Sequence, residues 1–95
     1  MTAEARRNLS DLLLVTERQW GQRQRTAHRA SLMSVIHHLA QFPDLGRSRE
    51  ELAVGLRALL VAPHIVYYRV DDRTVTVVRI LLQRMDATGT FEDSP

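Results

Sequence analysis

Between Gln41 and Gly55 the apolar residues change their spacing, and that change restricts the chain to one class of fold. Before it, Ala5, Leu9, Leu12, Leu13, Thr16 and Trp20 recur at three- and four-residue steps, the mark of one buried helix face. Thr2 is placed to cap that helix, Glu4 suits the positive first turn, and Gly21 is a stop. A second helix is predicted from about Gln24 to Gln41, with Ala30, Leu32, Met33, Ile36, Leu39 and Ala40 on one side. Pro43, Asp44 and Gly46 end it. After Arg47–Ala53, a polar connector, come three β-prone runs: Gly55–Val61, His64–Val70 and Thr74–Leu82. Pro63 separates the first two, and Asp71-Asp72-Arg73 turns the chain between the last two. The expectation is therefore an α+β domain, an antiparallel αα-hairpin packed on a small antiparallel sheet of three strands.

Ninety-five residues support one domain, here 1–86, followed by a small polar tail, 87–95. No apolar run approaches the roughly eighteen residues that a membrane span requires. The opening MTAEARRNL lacks the apolar segment of a signal peptide. Without cysteine there is no disulfide framework and no thiol chemistry, which fits a cytoplasmic protein. All thirteen basic residues are arginine, so no lysine is on hand as a general base, and every cation is suited to two-pronged contact with carboxylate or phosphate.

Arg57, Arg69 and Arg79 each stand inside a strand run, where an arginine must face solvent or be paired. On neighbouring strands they can form one cationic surface, with Arg84 just beyond it. The plainer alternative is a set of ion pairs with Glu50, Glu51, Asp71, Asp72 or Asp86. Tyr67 and Tyr68 point to opposite sheet faces, so one belongs to the core and the other is available to a partner. Trp20, beside Gly21, reads as a lid on the core, with stacking on a partner as the alternative. His28, His37, His38 and His64 lack metal-ligand spacing and read as surface or rim residues; no metal or cofactor is expected. Arg18, Arg23, Arg25 and Arg29 gather at the helix junction, but no helix-turn-helix pattern follows them. That cluster reads as a solvated face or part of a protein contact, and direct sequence-specific binding of nucleic acid is not expected.

The order of several short motifs over residues 2–86 resembles the ParE toxins of bacterial type II toxin–antitoxin modules, within the RelE/ParE superfamily. They are Thr2–Leu12 (TAEARRNLSDL), Trp20-Gly21, Pro43-Asp44-Leu45-Gly46-Arg47, Gly55-Leu56-Arg57, Tyr67-Tyr68-Arg69-Val70, Val78-Arg79-Ile80-Leu81 and Gln83-Arg84-Met85-Asp86. Two features depart from the family pattern. Family members usually open with a β-strand before the first helix, whereas here Met1 directly precedes the helix motif. Either the strand is lost, which would leave backbone groups of its neighbour unpaired and thin the core, or the sequence begins downstream of the true start. Leu82 also stands where many relatives carry histidine.

The resemblance implies a plasmid-stabilising toxin that inhibits DNA gyrase without being an enzyme and is neutralised by a ParD-like antitoxin. Contact with the target would fall to Arg57, Arg69, Arg79, Arg84, Met85 and Asp86. The antitoxin would engage Leu13, Trp20, Arg29 and Tyr68. Two alternatives stay open: a RelE-like, ribosome-dependent messenger-RNA endoribonuclease, and a degenerate toxin that only binds antitoxin. RNA cleavage by 2′-OH attack needs an acid, a base and cations, and the sequence is rich only in the last.

Overall fold

In the computed structural model, which describes residues 1–72 and 74–84, Thr2 starts the first helix, α1 (Ala3–Trp20). Its Oγ1 accepts the Ala5 N–H at 3.1 Å, satisfying one of the free donors of the first turn. Gly21 ends α1 at φ +90°, a conformation that side-chain-bearing residues rarely adopt, and α2 (Gln22–Gln41) begins at the next residue. A one-residue joint forces the helices back on each other as the expected hairpin. Residues on the far side of the joint follow as β1 (Arg47–Ser48), β2 (Leu56–Val61), β3 (His64–Asp71) and β4 (Thr74–Leu82). They form one antiparallel sheet in the order β1-β2-β3-β4.

The sheet thus has four strands where three are predicted. The extra one is the two-residue β1, which pairs with Ala58 and Arg57. Its residues are charged and polar and too few to show an alternating pattern, so the spacing of apolar residues carries no trace of it.

The helices cover one face of the sheet. Val66, Tyr68, Val77 and Ile80 pack there against Ala5, Leu32 and Leu39. Full burial of a leucine such as Leu32 or Leu39 contributes about 1.5–3 kcal/mol. On the opposite face Leu56, Ala58, Tyr67 and Val78 form a second cluster under Leu52 and Ala53 of the connector. Both tyrosines are therefore buried. They do point to opposite faces, but the expectation that one is free for a partner fails because the connector covers the second face. A register shift of β4 against Tyr67 and Tyr68 sets Val78 and Arg79 together opposite Tyr67.

The outer edge of β4 is covered by α1 rather than left open. Thr2 donates its backbone N–H to Val77 O at 2.9 Å and its hydroxyl to Val78 O at 3.0 Å. Asn8 Oδ1 accepts the Ile80 N–H at 3.1 Å. A short polar side chain and a helix cap here take up the groups whose loss of partners the sequence pattern suggests.

Candidate functional site

Arg57 does not join Arg69 and Arg79 on one cationic surface. It pairs in register with Tyr68, on the helix-covered face, and its guanidinium is spent on backbone: Nε reaches Gly46 O at 3.0 Å, and Nη2 reaches Gly46 O at 2.6 Å and Asp44 O at 3.3 Å. Arg69 is paired with Leu56 and Thr76 and shares the other face with Tyr67; its Nε is buried without a hydrogen-bond partner. Arg79 lies opposite Tyr67, bonds to Val78 O at 3.0 Å and faces Glu4 at 3.7 Å. Among the described residues, Arg57 takes carbonyls and Arg79 takes Glu4 in place of the acidic partners proposed from sequence, of which Asp86 lies outside the described residues. Arg84 is exposed just past β4, while Met85, Asp86 and the tail 87–95 lie outside the described residues.

The residues expected to meet an antitoxin divide into two groups. Tyr68 is 0% exposed, with its hydroxyl bonded to Pro43 O and Gly46 N, so it belongs to the core. Leu13 is likewise buried. Arg29 is exposed on α2. Trp20 is 71% exposed, which overturns its reading as a core lid. The helix turns back at Gly21 immediately after it, so the indole extends past the end of the packed face instead of onto it.

Trp20 stands on the wall of a cleft of about 680 Å³ between the helix junction and the end of the β3–β4 hairpin. Leu12, Val15, Ile80, Leu81 and Leu82 give it an apolar lining, and Asn8, Asp11, Gln19 and Gln24 add polar groups. His28 from α2 and His64 from β3 also line it, with ring centroids 5.4 Å apart and planes tilted by 46°. His28 Nε2 and His64 Nδ1 are buried with no hydrogen-bond partner. His64 is only 8% exposed, and burial first, then repulsion from His28, hold it below the usual histidine value of 6.5. An apolar trough with a few convergent polar groups is suited to an amphipathic ligand or peptide segment.

Sequence reasoning assigns these two histidines to the surface or rim; the structure leaves His28 partly buried on the cleft and buries His64. The signal was available in part. His64 has the same strand parity as Val66 and Tyr68, and His28 lies one helical turn before Leu32. Only the packing of α2 over the start of β3 brings the two together.

Residues 1–87 match the family described as ParE toxin of type II toxin-antitoxin system, parDE. The chain belongs to the ParE toxin family. It is similar to Toxin ParE1 of Caulobacter vibrioides, 32% identical over 87 residues that cover 92% of this chain and 90% of that one. Toxin ParE1 of Mycobacterium tuberculosis is 33% identical over 87 residues, covering 90% of this chain and 89% of that toxin. A shorter match, 47% identical over 53 residues, relates 56% of this chain to 53% of Toxin ParE3 of Caulobacter vibrioides. The resemblance carried by the short motifs is thus borne out at the level of the family. As a ParE toxin it is one half of a type II toxin–antitoxin module, a class that acts with an antitoxin partner. Among the described residues no helix is long and apolar enough to cross a membrane.

Proposed function

We propose that this ParE-family chain acts in the cytoplasm as a non-enzymatic inhibitor of DNA gyrase and is held inactive by a ParD-like antitoxin. Target contact falls to the sheet face of Arg69 and Arg79, to Arg84 just past β4, and to Met85 and Asp86, which lie outside the described residues. The antitoxin lies in the cleft beside Trp20 and Arg29, burying apolar surface and pairing carboxylates with the arginines of the helix junction.

The separation of the strand arginines from the histidines carries this reading. Arg69 and Arg79 share their face with Leu56, Thr76 and the buried Tyr67 as strand neighbours, with no imidazole among them, and the carboxylate that Arg79 faces is the exposed Glu4 of α1. His64, the histidine of the strands, is on the helix-covered face opposite Leu82. An acid–base pair working on a phosphodiester must reach the same phosphate as the cations, within hydrogen-bond distance. Cations on one face and the imidazole on the other favour a binding surface over a nuclease site.

The test is a supercoiling assay with purified gyrase, ATP, relaxed plasmid and this chain, with and without the antitoxin encoded beside it. Loss of supercoiling with linear DNA accumulating, reversed by antitoxin, is the expected result. An inert folded chain, or one that cleaves messenger RNA on ribosomes, would overturn the gyrase reading.

A further inference from the structure

We propose that Arg47 of β1 belongs to the target-contact face, and that this face takes a protein surface in which carboxylates surround an apolar centre. This rests on the target reading above and names the chemistry by which that face selects its partner.

The register of the sheet decides where Arg47 stands. Directly opposed residues of an antiparallel pair share a face. Arg47 is opposed to Ala58, Ala58 to Tyr67, and Tyr67 to Arg79. One row thus crosses all four strands on the face away from the helices, with an arginine at each end. The place that the sequence pattern gives to Arg57 is taken by Arg47, from the short strand. Arg47 is exposed, and it is in none of the ion pairs among the described residues, which join Arg7, Arg25, Arg49 and Arg79 to glutamates. Neither carboxylate of the connector is its partner. Glu51 hydrogen-bonds Arg49 and feels Arg47 only as a weaker pull through space, and Glu50 is in no ion pair. Arg69, half-buried one row along, is likewise outside these pairs.

Beside the arginine row lies an apolar one. Leu60, Ile65 and Leu81 are opposed in turn on β2, β3 and β4, on the same face. Leu56, Ala58, Tyr67 and Val78 are buried beneath the connector, whereas Leu60 is 54% exposed and Ile65 and Leu81 are only partly buried. An apolar centre with arginines at its margin is the composition of a protein–protein contact. Three strand spacings separate Arg47 from Arg79, roughly 14 Å at the backbone, so the two cations are set for separate carboxylates rather than one small anion. Each guanidinium can take a carboxylate in two-pronged fashion. Nucleic acid would satisfy the arginines, but its exposed bases stack on aromatic side chains, and the row beside them is aliphatic. An acidic protein surface matches both rows together.

The experiment compares the full chain with Arg47→Glu, Leu60→Asp and a control of equal charge change, Arg6→Glu, which reverses an exposed arginine of α1 outside both proposed contacts. Each is assayed for inhibition of gyrase supercoiling, for growth arrest on expression in bacteria, and for affinity to the antitoxin encoded beside the chain. Arg47→Glu and Leu60→Asp should each raise the concentration for half-inhibition by about tenfold or more, the scale of losing one interface anchor. Antitoxin affinity and the control should stay at the parent's values. Arg47→Lys should fall between the parent and Arg47→Glu, because it keeps the charge and loses the fork. Inhibition by both variants at the parent's concentration would overturn the inference and leave the gyrase reading standing. A parallel loss of antitoxin affinity would overturn it too, by tracing the effect to the fold or to the antitoxin's seat. If Arg47→Glu equally weakens retention of relaxed plasmid by the chain without gyrase, the face belongs to DNA and the protein partner is overturned. A parent that arrests growth but leaves gyrase untouched removes the gyrase reading. Relief of that arrest by both variants would then uphold the face for another protein target, and unrelieved arrest would overturn it. A parent that does neither overturns both.

Discussion

The Tyr68 hydroxyl accepts the backbone N–H of Gly46 at 2.8 Å, and donates its own proton to Pro43 O at 2.7 Å. A phenol buried among leucines and valines is thereby fully satisfied, and the loop between α2 and β1 is pinned to the middle of the sheet. Arg57 grips the same loop through Gly46 O and Asp44 O. The approach is so close that a Cβ on Gly46 would stand 2.7 Å from both Ala58 O and Tyr68 Oη.

Tyr68→Phe should therefore destabilise the chain by about 1–3 kcal/mol, the range for orphaning buried polar partners. Gly46→Ala should do more damage than Tyr68→Phe, because Ala58 O is backbone and cannot rotate aside. Urea titration of the two variants checks both. A Tyr68→Phe change within about 0.5 kcal/mol of the parent would show that water replaces the hydroxyl.

This loop also shows what the sequence discloses and what it hides. The motifs Pro43–Arg47, Gly55-Leu56-Arg57 and Tyr67-Tyr68 carry the family resemblance, and in the structure Pro43, Gly46, Arg57 and Tyr68 meet in one hydrogen-bonded knot. They mark the fold; the sequence leaves a structural and a partner-facing reading open for both Arg57 and Tyr68, and the knot makes both structural. Helix periodicity and strand alternation are local properties, and they locate α1, α2, β2, β3 and β4 to within two residues. Which strand faces are covered is a long-range property. The connector over Tyr67, the pairing of β1 and the meeting of His28 with His64 all depend on it. Trp20 failed for a related reason, since apolar spacing continues to the end of α1 while the surface it packs on does not.

Asn8 is a test of edge protection. Its Oδ1 accepts the Ile80 N–H across 72 positions of sequence, closing the outer side of β4. Asn8→Ala should cost about 1–2 kcal/mol and speed exchange of the Ile80 amide hydrogen. Asn8→Asp retains an acceptor and should remain close to the parent. Equal exchange rates for Ile80 in Asn8→Ala and the parent would show that the contact closes nothing.

Acid should loosen the helix hairpin from the sheet. His64 is held below 6.5 in the folded chain, so the unfolded chain binds more protons as pH falls past that value. Stability is then fully present above 6.5 and is lost as pH falls through the lowered folded value. Charging His64 also repels His28, which faces it. Denaturation midpoints from pH 8 to pH 5 should decline in the parent and much less in His64→Gln. Parallel declines in the two proteins would place the sensitivity elsewhere.

Trp20 and Leu13 should separate binding from folding on a single helix. Leu13 is buried, and Leu13→Ala should lose about 2–5 kcal/mol of stability through the cavity left behind. Any weakening of antitoxin binding would then follow from the fold. Trp20 is 71% exposed on the cleft wall, so Trp20→Ala removes little packing and should leave stability within about 0.5 kcal/mol of the parent. Its antitoxin affinity should nonetheless fall by about thirtyfold or more, since a large aromatic that becomes buried only on binding is a characteristic interface anchor. Melting curves and antitoxin titrations on both variants give the four numbers needed. If Trp20→Ala binds as tightly as the parent, the cleft is not the antitoxin's seat, whatever else binds there.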